Sequence, residues 1–124
     1  MVDVKSRIPI YEQIIESVKD SVVSGLMVAD EPLPSVRSLA GELAINPNTI
    51  QKAYSELERQ GIVYSVPGKG SFIASDTAKI EKQHRENIMR DLDLLFDEAL
   101  KAGIKIEDIK QLVYKKEKKT DDLN

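Results

Sequence analysis

Cysteine is absent from the 124-residue chain, which excludes disulfides and thiolate metal sites. Also missing is any run of about 18 apolar residues, and the opening MVDVKSRIPIY holds no apolar core of a secretory signal. Neither a membrane span nor export is therefore expected, and the cytoplasm is the expected compartment. Histidine occurs once, as His84 in the charged stretch EKQHREN, with no nucleophile and no second ligand at metal spacing beside it. A solvated or interface histidine is the expectation there, and no metal or cofactor is expected. Basic charge is not in excess either: 18 Lys and Arg face 21 Asp and Glu, a net charge of -3. Residues 1–75 hold 7 basic and 9 acidic side chains, and the remainder hold 11 and 12. A polyanionic partner would have to meet a local patch, or two patches joined by dimerisation.

What is present is helical patterning around one short hairpin. A hydrophobic fraction of 41% suffices for one modest core and leaves little room for a roomy catalytic cleft. In PIYEQIIESVKDSVVSG, Pro9 suits the first helical position, Tyr11, Ile14, Ile15, Val18 and Val22 recur on one face, and Gly25 ends the run. After the connector LMVADEP, Ser35 offers a cap to a short helix with Val36, Leu39, Ala40 and Leu43 at i, i+3, i+4, i+7. The turn AIN leads into a third helix from Pro47 to Gln60, where Ile50, Ala53, Tyr54 and Leu57 repeat the spacing. Asn46 is its cap, and Pro47 sits where a missing N–H costs nothing.

Alternation returns in IVYSVPGKGSFIAS, with Pro67-Gly68-Lys69-Gly70 as turn, which reads as a β-hairpin with a basic tip. From Asp76 the helical period resumes, with Ile80, Ile88, Leu92, Leu95, Phe96, Ala99 and Leu100 on one stripe up to Gly103. Gly103 is expected to let a final helix from about Ile106 fold back as a closed hairpin. The tail KKEKKTDDLN is expected to fray. The fold class is thus mainly α with a small β-hairpin: a winged helix-turn-helix over residues 1–75, then a two-helix dimerisation arm over 76–124.

A helix, a short turn, a helix and a hairpin in this order point to DNA, with the third helix entering the major groove. Its N-terminus leaves free backbone N–H groups beside Asn48 and Thr49, a ready anion site. At 100° per residue the apolar stripe centres near Ile50 and leaves Asn48, Lys52, Ser55 and Arg59 opposite, with Thr49 and Gln51 on the flanks. Asn and Gln can pair with adenine edges, and Lys with phosphate or guanine. Arg37 lies off the stripe of the second helix, and the glycines about Lys69 allow close approach to a groove.

PLPSVRSLAGELAINPNTIQKAYSELERQGIVYSVPGKGSFIAS resembles the DNA-binding domain of GntR-family bacterial transcription regulators, whose pattern runs LPS-x-R-x-LA, polar-Thr-[Val/Ile], AY-x-x-LE-x-x-G and G-x-G-[Thr/Ser]-[Phe/Tyr]-[Val/Ile]. The resemblance reaches back to PIYEQI, and the NPNT start with a short helical tail is similar to the YtrA subfamily. It implies DNA contacts from Ser35, Arg37, Asn48, Thr49, Gln51, Gly68 and Lys69, to which the helical wheel adds Lys52. It also implies dimerisation through the tail, where Ile88, Leu92, Leu95, Phe96, Ala99 and Leu100 form the expected interface. The implied function is that of a homodimeric repressor on an inverted-repeat operator of double-stranded DNA, in a transporter operon, with an effector unknown. Ala44 and Pro47 depart from the family: many members have glycine at the first and a DNA-contacting arginine at the second. The rival reading is a winged-helix module that binds proteins and not DNA. PGKGS lacks the spacing of a phosphate loop, and no acid–base pair can be nominated, so no enzyme is expected.

Overall fold

A computed structural model describes residues 2–123. Its elements are α1 (Ile10–Val23), α2 (Val36–Leu43), α3 (Pro47–Arg59), β1 (Val63–Val66), β2 (Gly70–Ile73), α4 (Ala78–Lys101) and α5 (Ile106–Leu123). Pro9 is the cap of α1 and not its first helical residue: its carbonyl accepts from the N–H groups of Glu12 and Gln13, both at 3.1 Å. The chain divides into two compact units within α4, after His84.

In the first unit, α1 crosses α3, and α2 and β1 also lie on α3. The apolar stripes predicted from the sequence converge there: Ile14, Ile50, Leu57 and Ile73 have no exposed surface, and Val22, Ala53 and Leu39 lie beside them. Each such aliphatic side chain gains about 1.5–3 kcal/mol from leaving water, which fixes the helices to one another more firmly than their own propensities do. Ile80 of α4 packs against the same core, so the stripe read as one continuous face after residue 76 is divided between the two units.

The wing is antiparallel, with Val63 opposite Ile73, Tyr64 opposite Phe72 and Val66 opposite Gly70. Val63 and Ile73 point into the core, while Tyr64 and Phe72 stack on the other face with ring centroids 5.5 Å apart. At the tip, the Lys69 N–H donates to the Val66 carbonyl at 2.9 Å, and Gly68 takes φ 77°. That is the proline-then-left-handed-glycine order of a type II turn. The connector before α2 contributes more than a link. Asp30 N–H donates to Ile73 O, Ile73 N–H to Glu31 O and Leu33 N–H to Ser71 O, all at 2.8–2.9 Å, and Pro32 bridges Phe72. It lies along the free edge of β2 as a third strand in all but length.

The second unit holds the rest of α4 and α5, joined through Gly103 at φ 88°. The Ile104 N–H returns to the Ala99 carbonyl at 3.0 Å, a glycine-based helix stop. The expected closed hairpin is not formed, because α4 and α5 do not pack along their lengths. Ile88, Leu92, Leu95, Phe96 and Leu100 stay exposed, and Ala99 is half-buried. Nor does the tail fray: α5 continues to Leu123, with Asn124 outside the described residues. A lysine-rich sequence of good helix formers propagates once the Ile106 turn has nucleated it. Among the described residues no helix is long and apolar enough to cross a membrane.

Candidate nucleic-acid interface

Two helix N-termini and the hairpin tip carry the polar residues singled out above. At the first, Ser35 caps α2 by accepting the Ser38 N–H at 3.0 Å, and Arg37 follows two residues later, exposed. Among the described residues no acid forms an ion pair with Arg37 or with Lys69. At the second, the Asn46 side chain accepts the Asn48 N–H at 2.9 Å and Pro47 occupies the first helical turn. Asn48 and Gln51 are exposed and Thr49 is half-buried. The Gln51 amide donates to the Ser55 hydroxyl at 3.2 Å, which steadies its stem without hiding it.

The turn between α2 and α3 is made by Ala44 in the left-handed conformation, φ 55°, with the N–H groups of Ala44 and Ile45 both returning to Ala40 O. Ile45 packs inward against the core and holds the angle between the helices. A second tie is the hydrogen bond from the Tyr54 hydroxyl to the Pro34 carbonyl, 2.8 Å, which fixes the start of α2 against the middle of α3. Burial pushes the Tyr54 phenol up to about 12, so it stays a donor across the ordinary pH range.

Two of the predicted polar residues have local partners. Lys52 holds its ammonium 3.8 Å from the centre of the Tyr11 ring on α1, a cation–π contact, while remaining exposed as a residue. Arg59 grips Glu56 with two hydrogen bonds, so it is committed within α3. These bonds, with a third from Gln60, hold the Glu56 carboxyl down at about 2.

The wing has its own bracing, which sequence reasoning missed. Asp30, at φ 64°, accepts from the Tyr64 hydroxyl at 2.8 Å and the Ser75 hydroxyl at 2.6 Å. The Ser75 bond first and the Tyr64 bond second hold its carboxyl below the ordinary range. Asp30 thereby joins both ends of the hairpin to the connector and sets where Gly68 and Lys69 project. The one available signal was an aspartate tolerant of left-handed backbone where relatives of this pattern use glycine.

A helix-turn-helix whose second helix carries its polar end free, followed at once by a braced two-stranded wing, is a winged helix-turn-helix. The family described as bacterial regulatory proteins, gntR family, matches residues 10–73, just over half the sequence, and the chain belongs to it. It is 36% identical over 113 residues to the HTH-type transcriptional repressor YtrA of Bacillus subtilis (strain 168), covering 90% of this chain and 87% of that protein. Among solved structures, a GntR family transcriptional regulator from Listeria monocytogenes is similar with TM-score 0.78 and 37% identity, over 92% of this chain and 98% of the other. The crystal structure of AraR(DBD) in complex with operator ORE1 is similar with TM-score 0.52 and 30% identity, over 60% of this chain and 90% of that one. The protein is therefore a DNA-binding transcription regulator and not an enzyme.

Proposed function

We propose that the chain acts as a homodimeric, cytoplasmic repressor that binds an inverted-repeat operator through Ser35, Arg37, Asn48, Thr49, Gln51, Gly68 and Lys69, with Lys52 in support. The observation that carries this is the presence of two exposed basic side chains without ion-pair partners among the described residues, Arg37 and Lys69, beside the free polar end of α3. Asn48 and Gln51 read base edges, while Arg37 and Lys69 supply most of the hold on phosphate, since Pro47 brings no charge. Lys52 serves after leaving the Tyr11 ring, a contact worth about 0.5–1 kcal/mol at an exposed site and thus easily exchanged for a phosphate.

Repression is the reading favoured by likeness to a protein named a transcriptional repressor. The transporter operon rests on family resemblance alone. Dimerisation proceeds through the apolar stripe Ile88, Leu92, Leu95, Phe96, Ala99 and Leu100, for which α5 leaves α4 uncovered. Two wings then engage two half-sites whose centres are about 10 bp or a multiple apart.

Gel-shift titration of promoter fragments at several salt concentrations tests the reading. Sequence-selective binding is expected, and the Arg37→Ala, Lys69→Ala double variant should lower the salt slope by about 2 while staying folded and dimeric. A double variant that binds operator as tightly as the parent would show that the interface lies elsewhere.

A further inference from the structure

His84 is neither solvated nor free to serve a dimer interface. It is 7% exposed, the one buried polar side chain among the described residues, and its Nε2 lies 3.0 Å from Asp20 Oδ1 of α1. Glu16 stands one helical turn before Asp20 on the same face, and donor atoms of Glu16, Asp20 and His84 all lie within 4.8 Å of one another.

We propose that Glu16, Asp20 and His84 form a binding site for a divalent first-row transition cation, with water completing the coordination. An imidazole with two carboxylates is a donor set that suits zinc or manganese; it lacks the six or more oxygens that calcium favours. Ligand atoms bonded at about 2.1 Å stand about 3.4 Å apart in a tetrahedral site, so the three donors must draw in by about an ångström. The carboxylates are able to do so: both are on exposed side chains, 57% and 70%, on one rigid helix, while the buried imidazole is the fixed point. Glu16 and Asp20 also line an open surface cleft of about 550 Å³ with Gln13, Ser17, Ser21 and Ser24, which gives ion and water a way in.

One competing charge is near. Lys19 Nζ approaches Glu16 at 3.6 Å, longer than a good hydrogen bond, and a pair of this kind contributes little. It is readily given up to a divalent ion. The His84–Asp20 hydrogen bond by itself explains the burial of the histidine but leaves Glu16 without a purpose at this position. His84 is the last residue of the first unit, so a bound ion would fasten α1 to α4 at the point where the chain passes into the second unit.

The test uses the full chain without an affinity tag, titrated with ZnCl₂ or MnCl₂ in a non-chelating buffer by calorimetry, with nitrogen-15 NMR of the imidazole alongside. His84 is the only histidine, so its signal is unambiguous. The expected result is one ion per chain, a shift of the His84 Nε2 resonance on zinc binding and no competition from a tenfold excess of Mg²⁺. Glu16→Gln keeps the His84–Asp20 pair and the fold, and should weaken zinc at least tenfold; His84→Asn should abolish binding. Overturning results are no stoichiometric binding up to millimolar zinc, binding that leaves the His84 resonance unmoved, or an unchanged affinity in Glu16→Gln. None of these readouts involves DNA, so failure here leaves the regulator reading intact.

Discussion

Ala44 pays for its place in the turn with backbone strain. A left-handed conformation costs an L-residue about 1–2 kcal/mol, and glycine, which avoids this, loses about 0.5–1 kcal/mol more conformational entropy on folding. Ala44→Gly should therefore stabilise the first unit by about 0.5–1 kcal/mol in urea unfolding, with an unchanged m-value. Glu56 makes a prediction in pH. Its folded carboxyl is held at about 2 against an ordinary value near 4.5, so its stabilising contribution is complete above the ordinary value and disappears as pH falls toward 2. Glu56→Gln should make the loss of stability between pH 4.5 and 2 less steep, as followed by circular dichroism. At this scale the sequence was partly legible. Asn46 and Ser35 are recognisable as caps from residue type and position, whereas the Arg59–Glu56 grip was not anticipated, because a helical wheel places Arg59 without saying which neighbour it chooses.

Elements were read well where their periodicity was strong and poorly where it was not. The stripes of α1, α2 and α3 are all buried as spaced, since an amphipathic helix has one way to hide its apolar face. The connector Asp30–Leu33 has no alternation and contains Pro32, yet it pairs with β2, because the edge strand offers it hydrogen-bond partners that local sequence does not announce. A residue such as Tyr54 combines both kinds of information: its ring follows the α3 stripe, and its hydroxyl finds Pro34, 20 positions away. Tyr54→Phe should cost about 1 kcal/mol by leaving the Pro34 carbonyl without this donor. It should also weaken operator binding in the gel shift, since the start of α2, with Ser35 and Arg37, loses a tie to α3.

For the whole molecule, the decisive feature is the uncovered apolar stripe of the second unit. Leu92 and Leu95 are 56% and 60% exposed, and a surface groove of about 440 Å³ runs from them past Ala99 to Ile109 and Leu112 of α5. Exposed apolar area on this scale marks an interaction surface. Leu92→Asp with Leu95→Asp should convert the dimer to a monomer in sedimentation velocity, leave the winged-helix unit folded, and weaken operator binding by about 10²–10⁴ as bivalency is lost.

The sequence by itself determined the helices, their caps, the hairpin turn and the family, all of which depend on spacings of a few residues or on motifs in a fixed order. Only the tertiary structure decided the bracing of the wing by Asp30 and Tyr64, 34 positions apart, and the burial of His84 against Asp20, 64 apart. It also decided that α5 stands away from α4. The physical reason is the same in each case: periodicity and capping are local, so composition and spacing carry them. A contact closed across a long loop exists only after the core has set the helices in place, and no pattern within either segment records it.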